Sequence, residues 1–152
     1  VLGLPFIIML STGCAGAPMR WFEGSRPDRL GVSKGQLQPV DRSKRNAVSS
    51  TAEPPHRIAP FSTGPDPRTD LARLAALLAA NPRVKIIAQD NEYIQAEFRS
   101  RWLGFVDDVE FLLVPAERLI HVRSASRLGY SDLGVNRARI ESIRAALAAT
   151  AQ

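Results

Sequence analysis

Between Phe105 and Arg144 the chain gathers the side chains best suited to chemistry. Asp107, Asp108 and Glu110 come first. Arg123, Ser124, Ser126 and Arg127 follow on the next run, then Tyr130, Asp132, Asn136 and Arg137. Carboxylates so close together could offer oxygens to a hard cation or serve as acid and base. Arginines present a planar fork to carboxylate or phosphate. Ser124, Ser126 and Ser131 could be nucleophiles with His121 as base.

The elements that must position these residues limit the options. In a strand, alternate side chains point to opposite faces. Asp107 then points away from Asp108 and Glu110, which leaves two ligands and no expected metal site. Ser124 and Ser126 face away from His121, and no nucleophile-elbow pattern is present, so a serine hydrolase is not favoured. The Gly129–Gly134 loop leads into a helix, where free N–H groups near Arg137 and Arg139 could hold an anion. The simpler reading there is that Asn136 caps the helix, with Val135 and Ile140 as a hydrophobic staple.

The rest of the folded part follows from periodicity. Asp66-Pro67 predicts an N-cap with proline at the first helical position, and Leu71, Leu74 and Leu78 recur at helical spacing until Asn81-Pro82. Strands are expected at Val84–Ala88, Tyr93–Trp102, Phe105–Val114 and Leu119–Arg127, with Gly104 at a tight reversal and Pro115–Arg118 as a turn. A final helix is expected from Arg137 to about Ala149, with Ile140, Ile143 and Leu147 as its apolar stripe. These elements predict an α+β domain: an antiparallel sheet of about four strands with two helices packed on one face.

The other face of that sheet would hold Glu97 and Arg99, Asp108 and Glu110, then His121, Arg123 and Arg127. Exposed, each opposite-charge pair contributes only about 0.2–1 kcal/mol, and a solvated face is the default. If a loop or the N-terminal segment covers the face, the pairs are buried together, and losing one partner costs several kcal/mol. A covered network could be structural or could form an anion pocket; the structural role is favoured.

Composition bounds the remainder. The 152 residues suit one domain with a modest core; 45% are hydrophobic and 23% charged. Net charge is +5, but residues 1–60 carry eight Lys/Arg against four Asp/Glu, so most of the excess sits in the part that looks least folded. Nothing resembles the basic runs with interleaved aromatics of nucleic-acid binders, and none is expected as a partner. The single cysteine, Cys14, excludes an intrachain disulfide, and two distant histidines, His56 and His121, exclude a Cys/His metal constellation. No cofactor is expected.

Val1–Thr12 is almost wholly apolar and too short to span a bilayer, which takes about 20 residues. It resembles a secretory h-region, and Ser11-Thr12-Gly13-Cys14-Ala15 resembles a bacterial lipobox, with Ser11 where an aliphatic residue is usual. The expected organisation is a lipoprotein-type signal peptide over 1–13, a linker over 14–45 after lipidated Cys14, and the domain over 46–152. Ala15 differs from the Asp that retains such proteins at the inner membrane. The implied address is therefore the periplasmic face of the outer membrane, with a periplasmic or secreted soluble protein as the alternative. Trp21 and Phe22 are expected to dock on the domain.

Gly104–Phe111 and Val122–Glu141, with Asn46–Ser50 and Tyr93–Ser100, resemble the domain-of-unknown-function 1499 family (DUF1499) over roughly Asn46–Leu147. Ala47 stands where the family often has Cys, so any thiol role there is absent. The resemblance implies one compact domain, often exported or membrane-associated, and implies no activity. The function expected is that of a non-enzymatic envelope lipoprotein binding an anionic small molecule, lipid headgroup or envelope protein. The alternatives are an enzyme using the Asp/Glu/Arg cluster, or a domain whose charges only fix the fold. A deep, open pocket lined by Asp107, Asp108 or Glu110 with Arg123 and Arg127 would favour the enzyme; mutual burial would favour structure.

Overall fold

A computed structural model describes residues 22–150. In chain order the elements are β1 (Val32–Ser33), β2 (Gln36–Leu37), β3 (Ala47–Ser49), β4 (Phe61–Ser62), α1 (Pro67–Ala79), β5 (Val84–Gln89), β6 (Tyr93–Arg99), β7 (Val106–Val114), β8 (Leu119–Ser126) and α2 (Val135–Ala149). The apolar run 1–12, Cys14 and Trp21 lie outside the described residues. Among those residues no helix is long and apolar enough to cross a membrane.

Period-2 alternation produces the antiparallel meander β5–β6–β7–β8, and Gly104 takes a φ of 70° in the β6–β7 turn. The sheet has six strands, not about four. β3 pairs antiparallel with β8 through Ala47↔Ala125 to Ser49↔Arg123, and β4 pairs with the same strand at Phe61↔Ile120. Strands of two or three residues are too short to show alternation in sequence.

Both helices cover one face. Leu71, Leu74 and Leu78 of α1 and Ile140 and Ile143 of α2 are buried with Ile94, Val109, Phe111, Leu113, Ile120 and Val122. Each such side chain contributes about 1.5–3 kcal/mol on full burial. Asp66 caps α1 as its sequence predicts, accepting from the Thr69 amide and hydroxyl, with Pro67 at the first turn.

The other face is covered too. The stretch expected to be linker is, from Phe22 on, laid against the sheet. Phe22 stacks on Phe105 with centroids 5.1 Å apart, β1 and β2 form a small antiparallel hairpin, and β2 packs on β7 and β8. Leu37 and Val40 are buried outside the main core. This strap makes β7 the centre of a three-layer structure, buried on both sides along nearly its whole length.

Candidate functional site

The strand register decides which charges meet. Glu97 of β6 lies directly opposite Asp108 of β7, and Glu110 of β7 lies opposite Arg123 of β8. Two carboxylates in register repel, so the first pair needs a shared cation. Arg127 supplies it: Nε and Nη2 each donate to Asp108 at 2.8 Å, and Nη2 also reaches Glu97 at 2.5 Å. Arg26 from the strap donates to the same Glu97 oxygen from Nε at 3.0 Å. Arg123 donates to Glu110 at 3.0 Å, and the other Glu110 oxygen accepts from the Tyr93 hydroxyl at 2.7 Å and the Gly31 amide at 2.5 Å.

Asp108 and Glu110 are fully buried, and the Arg127 side chain nearly so. The face is therefore not solvated; the strap closes it. Burial pushes the Glu97 carboxyl up, but the Arg26 and Arg127 donors outweigh it and hold the pKa below its ordinary value. Donation to Asp108 raises the Arg127 pKa, so its charge is fixed. Burial and the bond to Glu110 raise the Tyr93 hydroxyl well above its usual value. Three carboxylates meet three guanidiniums here, and no net charge is left over for an anionic ligand.

The helix face carries a second network, centred on Asn136. This residue does not cap α2. The helix begins at Val135 after Gly134, and Asn136 is fully buried one position inside it. Its Oδ1 accepts from Ser124 at 2.5 Å and Arg139 at 2.6 Å, while Nδ2 lies within bonding distance of Asn46 O, Ser126 Oγ and Asp132 Oδ2. Asp132 does the capping, accepting from the Gly134 amide at 3.0 Å and the Asn136 amide at 2.8 Å. Burial raises the Asp132 pKa, but those backbone donors outweigh it and hold the carboxyl below its usual range. With a carboxylate already on these amides, the helix start has no room for the anion envisaged from sequence. Val135 is exposed, so the staple with Ile140 does not form. Arg137 is likewise engaged: it donates to the carbonyls of Pro55 and Arg57.

Asp107 points to the helix face, as the alternation requires, and ion-pairs with Arg139. The Arg139 guanidinium also lies 5.0 Å from the Phe98 ring centroid. This pair sits in the wall of a cleft of about 530 Å³ between the β6–β7 turn, the β8–α2 loop and α2. Phe98, Phe105, Val106, Leu128 and Ile143 give it apolar walls, and Arg83, Arg99 and Arg101 stand around it. Arg99 pairs with Glu23 at 3.2 Å, whereas Arg83 and Arg101 have no carboxylate partner among the described residues. The volume and the mix of apolar wall with a few charged groups suit a small-molecule site.

The family model for proteins of unknown function DUF1499 matches residues 38–147, most of the chain and nearly all of this architecture. The chain belongs to the DUF1499 family. Comparison with curated proteins and with solved structures gives no match. The DUF1499 match starts ahead of the expected Asn46, in keeping with the burial of Val40, while Arg26 and Gly31, which close the charge network, precede it.

Within this DUF1499 domain the candidate residues divide three ways. Asp108, Glu110, Arg123 and Arg127 lock the strap face. Ser124, Asn136 and Arg137 tie α2 to the sheet and the 55–57 segment. Asp107, Ser126 and Asp132 line the cleft, and Tyr130 stands exposed beside it. Sequence reasoning left out Arg83, Phe98, Arg101 and Phe105 as site residues, and used Arg139 only as a neighbour of the helix start. Arg139 carries a legible signal, since it lies three positions after Asn136 on one helix face. Arg83 and Arg101 carry none, because only the sheet brings the two turns together.

His121 does pair with a serine, but an unforeseen one: Nδ1 lies 3.0 Å from Ser50 Oγ, and Nε2 lies 3.3 Å from Glu117. Ser50 Oγ already accepts from the Val122 amide at 3.0 Å, and neither Ser50 nor His121 lines the cleft described above. This trio joins Ser50 to β8 and stands apart from the cleft. The described residues include no cluster of three or more metal-ligating side chains.

Proposed function

We propose that this DUF1499 protein is a non-enzymatic binding module of the cell envelope, exported and held by a lipid on Cys14, whose cleft takes a small amphipathic anion. The observation that carries this reading is the cleft itself. It joins apolar walls to two guanidiniums, Arg83 and Arg101, that no carboxylate among the described residues neutralises. An acyl or alkyl chain fits the walls, and a phosphate or carboxylate group suits the guanidiniums. Among the described residues the lining contains serines but no histidine, lysine or cysteine that could activate one, which supports binding over catalysis. Of the residues invoked for an enzyme, Asp108, Glu110, Arg123 and Arg127 are buried and mutually paired, and Asp107, at the cleft wall, is paired with Arg139.

Titration with dodecyl phosphate tests the cleft. The full chain is expected to gain thermal stability on binding, and Arg83→Glu/Arg101→Glu to weaken binding about tenfold; no shift across alkyl phosphates and fatty acids overturns the reading. The anchor is tested separately by globomycin-sensitive processing and palmitate labelling. Labelling that persists in Cys14→Ser rules Cys14 out.

A further inference from the structure

The exposed apolar side chains are not scattered. Trp102 and Leu103 form the tip of the β6–β7 turn, and Leu128, Tyr130, Leu133 and Val135 lie on the β8–α2 loop and helix start. Trp102 is 81% exposed, Tyr130 64% and Leu133 94%. Arg101, Leu128, Leu133 and Val135 all line the one cleft, so the two loops frame a single mouth. Single exposed hydrophobics need no explanation, but a cluster of this kind on one end of a domain marks an interaction surface. Leu133 is also held in a left-handed conformation, φ 54°, by Asp132 and Ser131, whose side chains accept from the flanking amides. The loop thus fixes this leucine outward rather than folding it in.

Charge narrows the partner. Arg83, Lys85 and Arg101 stand beside Trp102 around a second cleft on the far side of the same turn, and none has a carboxylate partner among the described residues. The Arg101 guanidinium lies 4.8 Å from the Trp102 ring centroid. The carboxylates nearest the mouth, Asp107 and Asp132, are taken up by Arg139 and by the α2 amides. Tryptophan, tyrosine and leucine beside unneutralised cations are the complement of an anionic lipid surface, where aromatic rings sit at headgroup depth and cations meet phosphates.

We propose that this end of the domain docks on an anionic bilayer through Trp102, Leu103 and Leu133, with Arg83, Lys85 and Arg101 against the headgroups, so that the cleft opens at the membrane. The chain's path agrees. Phe22 stacks on Phe105, itself a cleft residue, so the polypeptide reaches the described domain at this same end. Phe22 follows Cys14 by eight steps along the chain, a reach of at most about 29 Å. This last argument alone rests on the proposed anchor; the docking surface does not.

Trp102 reports on its own docking. In the full chain carrying Trp21→Phe it is the only indole. On mixed phosphatidylcholine–phosphatidylglycerol vesicles its emission is expected to shift to the blue and to be quenched by brominated acyl chains. Arg83→Glu/Arg101→Glu is expected to lower the bound fraction at least tenfold, at about fivefold per cation, and Leu133→Ser severalfold. All three residues are exposed or on the rim, and melting curves verify that the variants fold. Vesicle binding that leaves Trp102 unquenched means attachment through the N-terminal segment and overturns the proposal. Equal quenching on purely zwitterionic vesicles overturns the role of the cations. Self-association dependent on Trp102 and Leu133, without a vesicle response, reassigns the face to a second copy. Dodecyl phosphate titration of the parent chain separates the two readings: ligand binding without vesicle docking overturns the docking alone, and vesicle docking without ligand binding overturns the ligand reading alone.

Discussion

β7 treats the charges on its two faces differently. On the strap side, Asp108 and Glu110 are fully buried and matched to arginines in a network with no spare charge. On the helix side, Asp107 meets Arg139 at the wall of an open cleft, beside Arg83 and Arg101, which have no carboxylate partner among the described residues. The residues are adjacent and of the same type, so identity does not separate their roles. Coverage does. A sealed network contributes through the penalty its loss would incur, whereas the pair of Asp107 and Arg139, though itself largely buried, borders an open cleft of a size that suits a small molecule.

The sharpest way to break this comparison is Arg127→Met. It leaves Glu97 and Asp108 facing each other in register without a shared cation, and a loss of about 3–5 kcal/mol is expected in urea unfolding. A loss below about 1 kcal/mol would mean the strap face behaves as a solvated surface.

Paired Asp→Asn substitutions sharpen it. Asp108→Asn is expected to cost about 3 kcal/mol and leave dodecyl phosphate affinity unchanged. Asp107→Asn is expected to cost only about 1 kcal/mol, because Arg139 keeps Asn136, Ser124 and Phe98. It should also strengthen anion binding by freeing a cation in the cleft. Equal costs at the two positions would erase the distinction.

Acid is the next probe. Glu97 and Asp132 have folded pKa values below their ordinary ones, so near and below those values the unfolded chain binds more protons than the folded one. Their contribution is complete above about pH 5 and falls as pH drops through the folded values. The urea midpoint is therefore expected to decline below about pH 4.5, and the Glu97 share of that decline to shrink in Arg127→Met.

The smallest stability effect is expected for Arg83→Glu/Arg101→Glu, within about 0.5 kcal/mol of the parent, as for surface changes away from paired groups. Its effect should appear in ligand and vesicle binding alone.

Much of this was legible beforehand. Alternation in Tyr93–Arg99, Val106–Val114 and Leu119–Ser126 placed Asp107 opposite to Asp108 and Glu110, because a pleated strand permits nothing else. Asp66-Pro67 identified its helix start through local chemistry. At the second helix the local rule misled. Asn136 has the right type for an N-cap, but Asp132 caps the helix start from one turn earlier, accepting from the Gly134 and Asn136 amides, and leaves Asn136 for the interior. β3 and β4 escaped notice because two or three residues carry no period. The strap escaped because its anchors, Arg26 and the Gly31 amide, lie in irregular chain whose direction is set by what it covers.

By itself the sequence determined the secondary structure of the meander, the division of its faces and the family, since these depend on residues near one another in the chain. Only the tertiary structure decided that the charged face is closed and that an open cleft lies on the opposite side of the sheet. Arg26 meets Glu97 across 71 residues, and Gly31 meets Glu110 across 79. Burial is a property of what lies on top, and no local pattern in β7 records it.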